Sequence, residues 1–330
     1  MDGYDMDNEN SGGGAGGGAT SGVVMEMTGE IMLEVVPPSK RASPDAVGSS
    51  VEKISSEVNK LKCISCINIP EVIEENHVGV PYYRNIDTRI FGKSLLEKTG
   101  RKIIVNKVIA HLPKPRFETW VKETVLEYGI KSMVFVGASR EPFSYIGPSV
   151  VEANQCAVNL AKSGELNNQG LEIGNILIPG RENEVERSIS KTKAGCSFFT
   201  TQLMFQPESF SEFAKEYCEE CTKKNLEWRR NRFFLSFAPA RSEEDIEFFR
   251  WLGCDIPPSV IHRLQESGGD IGKTSIDIAK ETLSDILVFI EKNKLEIPIA
   301  LNVEVIFMQN LPLAMEMIKS LSPLMVREKP

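Results

Sequence analysis

Ile31-Met32-Leu33-Glu34-Val35-Val36-Pro37-Pro38 opens the patterned part of the chain. Apart from Glu34, the run is apolar on both of its alternating faces. A strand of this kind is covered on both sides, as in a parallel sheet. The two prolines that follow remove backbone donors and stop it. Outward from this run, apolar side chains at helical spacing (Val47, Val51, Ile54, Val58, Leu61) predict a helix over 46–61. Strand-like runs then recur at 63–69, 102–110, 132–136, 172–178, 197–203, 232–237 and 299–305. Helical patterns separate them at 88–98, 117–128, 150–162, 182–193, 209–224, 242–252, 259–265 and 275–292, and the last covers 313–321.

Eight strands, each followed by a helix, predict a parallel sheet. The count favours an α/β fold of the (β/α)₈ TIM-barrel type, with an open doubly wound sheet as the alternative. Residues 29–330 read as one such barrel. Residues 1–28 stand apart. Their acidic and glycine-rich composition cannot bury enough surface to offset the entropy of ordering, so a disordered tail is expected. Its GGGAGGG run follows no strand, so it is not a dinucleotide fingerprint.

The net charge of −8 argues against a nucleic-acid backbone as the main partner. No apolar run reaches the roughly 18 residues of a membrane span. Seven cysteines, an odd count, without a secretory leader, read as reduced thiols in the cytoplasm. Two C-x-x-C pairs, Cys63 with Cys66 and Cys218 with Cys221, resemble zinc ligands. However, the first pair sits on a strand, where i and i+3 face opposite ways. The second lies in a Glu-rich stretch expected to be exposed. No metal site is read from either. Ser267-Gly268-Gly269-Asp270-Ile271-Gly272-Lys273-Thr274 lacks the first glycine and the preceding strand of a P-loop, and reads as a turn between helices. Lys223 to Arg230 is rich in charge and reads as a solvated helix end. His77 and His262 have no evident partner.

In a barrel, function gathers at the C-terminal ends of the strands. Glu34 is a carboxyl in an apolar strand. It is either paired with a nearby Lys or Arg, solvated in the barrel mouth, or held protonated, and the last suits a general acid. His111 follows the third strand and is either a structural hydrogen-bonder or a ligand or base. Gln202 ends the sixth strand, and its amide can read a heterocycle edge or serve as an ordinary polar terminus.

Two motifs carry a family resemblance. Leu33-Glu34-Val35-Val36-Pro37-Pro38 resembles the Phe-Glu-Phe-Phe-Pro-Pro strand of methylenetetrahydrofolate reductases. Ala194-Gly195-Cys196-Ser197-Phe198-Phe199-Thr200-Thr201-Gln202-Leu203-Met204-Phe205 resembles their Ala-Gly-Ala-Asp-Phe-x-Ile-Thr-Gln-Leu-Phe-Phe segment. Gly129-Ile130 and the element order to about Met317 also match. The resemblance implies a β₈α₈ barrel that uses FAD to reduce methylenetetrahydrofolate, in one-carbon and methionine metabolism. It implies Glu34 as the acid, with Gln202 and Asn310 on the pterin side. It implies His111 and Lys191 on the flavin side. Ser139 stands where the family has a flavin-side Asp in the direct register, and Glu141 supplies that acid if a gap is allowed. Cys66 replaces a flavin-side Thr. Ile178-Pro179-Gly180-Arg181 lacks the aromatic and His of the family's Tyr-Pro-Glu-x-His, and Leu311 replaces an Arg. This is a divergent member, read as the catalytic barrel without the large regulatory domain of some relatives. The electron donor is NAD(P)H or a partner redox protein, and a homo-oligomer is compatible. The eroded flavin contacts leave two non-reductase readings: a pterin-binding or scaffolding barrel, and a pterin-dependent methyl-transfer component.

Overall fold

The computed structural model describes residues 27–75, 80–137 and 145–326. The expected tail, except for its last two residues, together with His77, Ser139 and Glu141, lies outside the described residues. In chain order the elements are β1 (Met27–Val35), α1 (Pro44–Lys60), β2 (Ile64–Ile69), β3 (Ile73–Glu75), β4 (Pro81–Tyr83), α2 (Thr88–Thr99), β5 (Lys102–Val108), α3 (Lys114–Leu126), β6 (Ser132–Val136) and α4 (Val150–Lys162). They continue as β7 (Glu172–Leu177), α5 (Glu184–Lys193), β8 (Phe198–Leu203), α6 (Glu208–Lys223), β9 (Arg232–Phe237), α7 (Glu243–Trp251), α8 (Pro258–Gln265), α9 (Ile271–Lys292), β10 (Ile299–Val305) and α10 (Leu311–Leu321).

Eight strands close into a parallel barrel in the order β1-β10-β9-β8-β7-β6-β5-β2. This is the (β/α)₈ fold expected from the alternation. The sequence pattern does not find the β3–β4 hairpin, because three residues per strand are too few to display a period. Several helices also begin earlier than their apolar periodicity suggests, because capping rather than apolar spacing sets the start. Ser43 accepts from the Ala46 backbone N–H at 3.2 Å and starts α1. Asp270 accepts from Lys273 N–H at 3.0 Å and starts α9 inside the stretch expected to be a turn. No described helix is long and apolar enough to cross a membrane.

Strand alternation divides the core into two parts. Outward-facing Leu33, Ile67, Val105, Phe135, Phe233 and Val303 lie in the large cluster beneath the helices. The inward faces supply Met32, Cys66, Ile104, Val134, Phe198, Phe234 and Ala300, a separate cluster that fills the barrel. Below it, at the N-terminal end, Arg232 reaches Glu30 at 2.9 Å and Glu172 at 3.4 Å, while Lys102 reaches Glu172 at 2.7 Å. The Arg232 guanidinium also lies 5.6 Å and 5.8 Å from the Phe198 and Phe234 ring centres. These charges close the bottom of the barrel and pair with one another there. Above the apolar layer most inward positions become polar: Glu34, Asn68, Asn106, Thr200, Ser236, Asn302 and, one step further along β10, Glu304, while Val136 and Ile176 stay apolar.

The apolar layer is filled without slack at β7. A Cβ on Gly174 would lie 2.3 Å from the Phe198 ring, so the absent side chain makes room for the phenyl group. Gly174→Ala should therefore overpack the barrel and cost roughly 1–3 kcal/mol, measured as a lower midpoint in denaturant unfolding. An unchanged midpoint would mean that Phe198 can move aside.

Candidate functional site

The polar layer opens at the C-terminal end of the barrel. β1 and β10 pair in parallel with Glu34 opposite Glu304, so neighbouring strands carry carboxyls side by side. Asn68 on β2 donates to Glu34 Oε2 at 2.6 Å. Asn302 on β10 donates to Ser236 Oγ at 2.9 Å, and approaches Glu34 Oε2 and Glu304 Oε1 at 3.3 Å each. Neither carboxyl is bonded to a Lys, Arg or His among the described residues. The ion-paired reading of Glu34 is therefore set aside. Burial pushes the Glu34 carboxyl above its ordinary range, against the two amide bonds that lower it. Burial and the charge of Glu34 push Glu304 well above its own.

The amide oxygens of Asn68, Asn106 and Asn302 and the hydroxyl of Thr200 are buried without a hydrogen-bond partner. Buried polar atoms are nearly always satisfied, so a cluster of orphans on one layer marks where a ligand or water belongs. Three of the four are acceptors only at these atoms and call for a partner with N–H or O–H groups. The sequence analysis missed Asn68, Asn106, Asn302 and Glu304. The signal was there, since each interrupts an apolar strand as Glu34 does.

The residues expected from the sequence fall in several places. Gln202 is half-buried at the end of β8, donating to the Leu252 carbonyl at 3.3 Å and accepting from Leu203 N–H at 3.3 Å. Asn310 follows β10 and is buried. Its Nδ2 donates to Asp245 at 2.9 Å, which ties α7 to the segment before α10, and its Oδ1 has no partner. Cys66 is buried in the apolar barrel layer, one inward position below Asn68. The stretch expected to be exposed turns Cys218 and Cys221 of α6 into the core, where they are buried thiols.

Lys191 borders a cavity of about 890 Å³ beyond the ends of β6 and β7, and His111 follows Ala110 of its wall. Its wall includes Gly137, Ser149, Arg181, Arg187 and Lys191, with Tyr145 at the edge. Tyr145 meets the His111 ring edge-on at 5.2 Å. Gly147 holds this rim. Its N–H donates to the Ala110 carbonyl at 2.9 Å, and a Cβ there would lie 1.9 Å from the Ile109 carbonyl oxygen, so only glycine permits the approach. Lys191 donates to the Ile176 carbonyl at 2.8 Å and sits 3.4 Å from Glu184, which also binds Arg181. Burial lowers the Lys191 pKa. The exposed Arg187, the Lys191 amine and the N-terminus of α4 converge on this cavity, which suits a phosphate-bearing ligand. The diphosphate of a dinucleotide cofactor such as FAD fits this donor set.

No family model matches the chain, and no curated protein matches its sequence. Among solved structures, an uncharacterised protein from Clostridium thermocellum that binds two copies of 5-methyl-5,6,7,8-tetrahydrofolic acid shares the barrel fold, with a TM-score of 0.72 and 20% identity over 89% of this chain and 95% of that one. EDTA monooxygenase from Chelativorans sp. BNC1 has a TM-score of 0.49 and 9% identity over 89% and 93% of the two chains.

The direction of the carboxyl shifts sets a pH dependence. A carboxyl whose pKa is raised by folding adds stability below the ordinary carboxylate range, and that stability is lost as pH rises through the raised value. Glu34→Gln removes one such group and gives Glu304 an amide donor. The variant should gain on the parent protein as pH rises from about 4 through the raised midpoints, by up to about 1.4 kcal/mol per pH unit for one proton. Thermal unfolding across that range reads the difference. A gap that stays constant with pH would contradict the raised values.

Proposed function

We propose that the chain binds a tetrahydrofolate-type pterin in the barrel mouth and reduces its methylene bridge to the methyl form, using a bound flavin. The observation that carries this reading is Glu34, a carboxyl held above its ordinary range by burial at the C-terminal end of a barrel strand, with no cation bonded to it among the described residues. Such a group still bears a proton where an ordinary carboxylate has lost it, as a general acid must. The orphaned amide oxygens of Asn68, Asn106 and Asn302 support a ligand rich in N–H donors, which a reduced aminopteridine is. The two motifs shared with methylenetetrahydrofolate reductases support the same chemistry, and so does the folate bound by the Clostridium thermocellum barrel.

In this reading Glu34 gives its proton to the bridge nitrogen that leaves the methylene carbon. Gln202 orients the pterin, and the resemblance adds Glu141 and Asn310 as substrate contacts. Lys191 and Arg187 would hold the cofactor diphosphate, and the resemblance adds His111 and Ser139 as cofactor contacts. When bound there, the flavin supplies the hydride. NAD(P)H or a partner redox protein re-reduces it, in a cytoplasmic setting and with a homo-oligomer compatible.

A second reading, a pterin-binding barrel without redox chemistry, is favoured by one observation. The segment after β7 is Ile178-Pro179-Gly180-Arg181, whose Ile178 and Arg181 line the cavity, and it has no aromatic side chain or histidine to hold a flavin ring.

An absorption spectrum before and after adding FAD, followed by turnover of methylenetetrahydrofolate, separates the two. The reductase reading expects flavin absorbance to remain with the protein after gel filtration. It also expects Glu34→Gln to lower turnover by roughly 10²–10⁴-fold. A protein that binds the folate but never retains flavin would leave the second reading.

A further inference from the structure

We propose that Glu304 is a positioning residue for Glu34, and that the two carboxyl groups hold one proton between them at the floor of the mouth. The inference rests on Glu34 being the acid. Three features of the geometry carry it.

The first is register. Parallel pairing of β1 with β10 sets Glu34 directly opposite Glu304, and both point into the barrel. The spacing between neighbouring strands is about 4.8 Å, so the two groups cannot turn their charges away from each other without leaving the layer. The second is the lack of a counter-charge. Asn68, Ser236 and Asn302 are the polar side chains bonded to the pair from β2, β9 and β10, and all three are neutral. The other titratable group beside the pair is Cys254, after α7, whose thiol is pushed up to about 12 by burial first and by the Glu304 charge second, so it stays neutral.

The third is the hydrogen-bond frame. Asn68 donates to Glu34 Oε2 and the Ser236 hydroxyl bonds Glu304, while Asn302 approaches one oxygen of each carboxyl, so the frame holds the two groups side by side. Two neighbouring carboxyls in a desolvated site share one proton because both cannot ionise together.

The consequence for the reaction is a proton that remains available near neutral pH. Glu34 passes it to the bridge nitrogen, whose bond to the methylene carbon breaks with the electron pair going to nitrogen. That carbon takes the hydride supplied by the flavin. The pair is left doubly negative, and the repulsion draws a proton back from solvent to restore the resting state.

The test is an infrared titration of the whole protein in D₂O, following the C=O stretch of protonated carboxyls, in the parent chain and in Glu304→Gln and Glu34→Gln. It needs neither flavin nor folate, so it can fail or succeed apart from the reductase reading. The expected result is a carboxyl that stays protonated above the ordinary range in the parent protein. In each single variant the remaining partner should titrate lower by about one pH unit or more, tenfold in proton affinity. Because each variant reports on the other's partner, one that folds is enough. Glu34 titrating at the same pH with and without Glu304 would overturn the proposal, and so would two carboxyls that both titrate in the ordinary range. Flavin retention and turnover alongside an unchanged Glu34 midpoint would refute the shared proton alone. A shared proton in a protein that never takes up flavin would refute the reductase alone.

Discussion

Closure of the barrel through β1 and β10 is the contact on which the rest of the structure depends. These two strands lie at opposite ends of the described chain, and their pairing turns an open parallel sheet into a ring. The same pairing fixes which side chains meet inside. A slip of β1 by one residue would turn Glu34 out beneath the helices and put Leu33 in the mouth. The apolar outward faces oppose that slip, because it would bury a carboxyl among aliphatic side chains. The register that gives the best core is thus the one that assembles the site.

The interior is graded along its axis, and each grade has its own energetics. At the bottom, opposite charges pair, and Arg232 lies over the aromatic rings above it, so its charge is both bonded and shielded. In the middle, the barrel is filled by apolar side chains fitted around Gly174. At the top, polar groups are only partly matched. Four buried atoms on this layer have no partner. A protein that satisfies its charges at one end and leaves acceptors open at the other has its unmet capacity at the end where barrel loops bind ligands.

Much of the fold was legible in the sequence because it depends on local patterns. Continuous apolar runs of strand length, separated by stretches of helical period, were enough to place all eight barrel strands. Capped starts such as Asp270 and the short β3–β4 hairpin were less legible, since neither alters hydrophobic period over a long enough window. Glu34 stood out as a carboxyl in an apolar strand, but its partner did not. Glu304 lies 270 residues further on in the chain, and only the parallel register brings the two together. The surroundings of Cys66 were illegible for a related reason. Its position along β2 could be read, but not the height at which the apolar layer ends and the polar one begins. Lys191 was singled out by the family resemblance alone, and it lies on the cavity wall. That it also bonds Glu184 and a strand carbonyl depends on tertiary packing.

The central claim is that the open acceptors of the mouth belong to a reduced pterin. Calorimetric titration of 5-methyltetrahydrofolate into the parent protein and into Asn302→Leu tests it most directly. The account predicts saturable binding to the parent protein and at least a tenfold loss in the variant, which keeps the side-chain volume and removes the amide. No binding to the parent protein, or equal affinity for both, would contradict it.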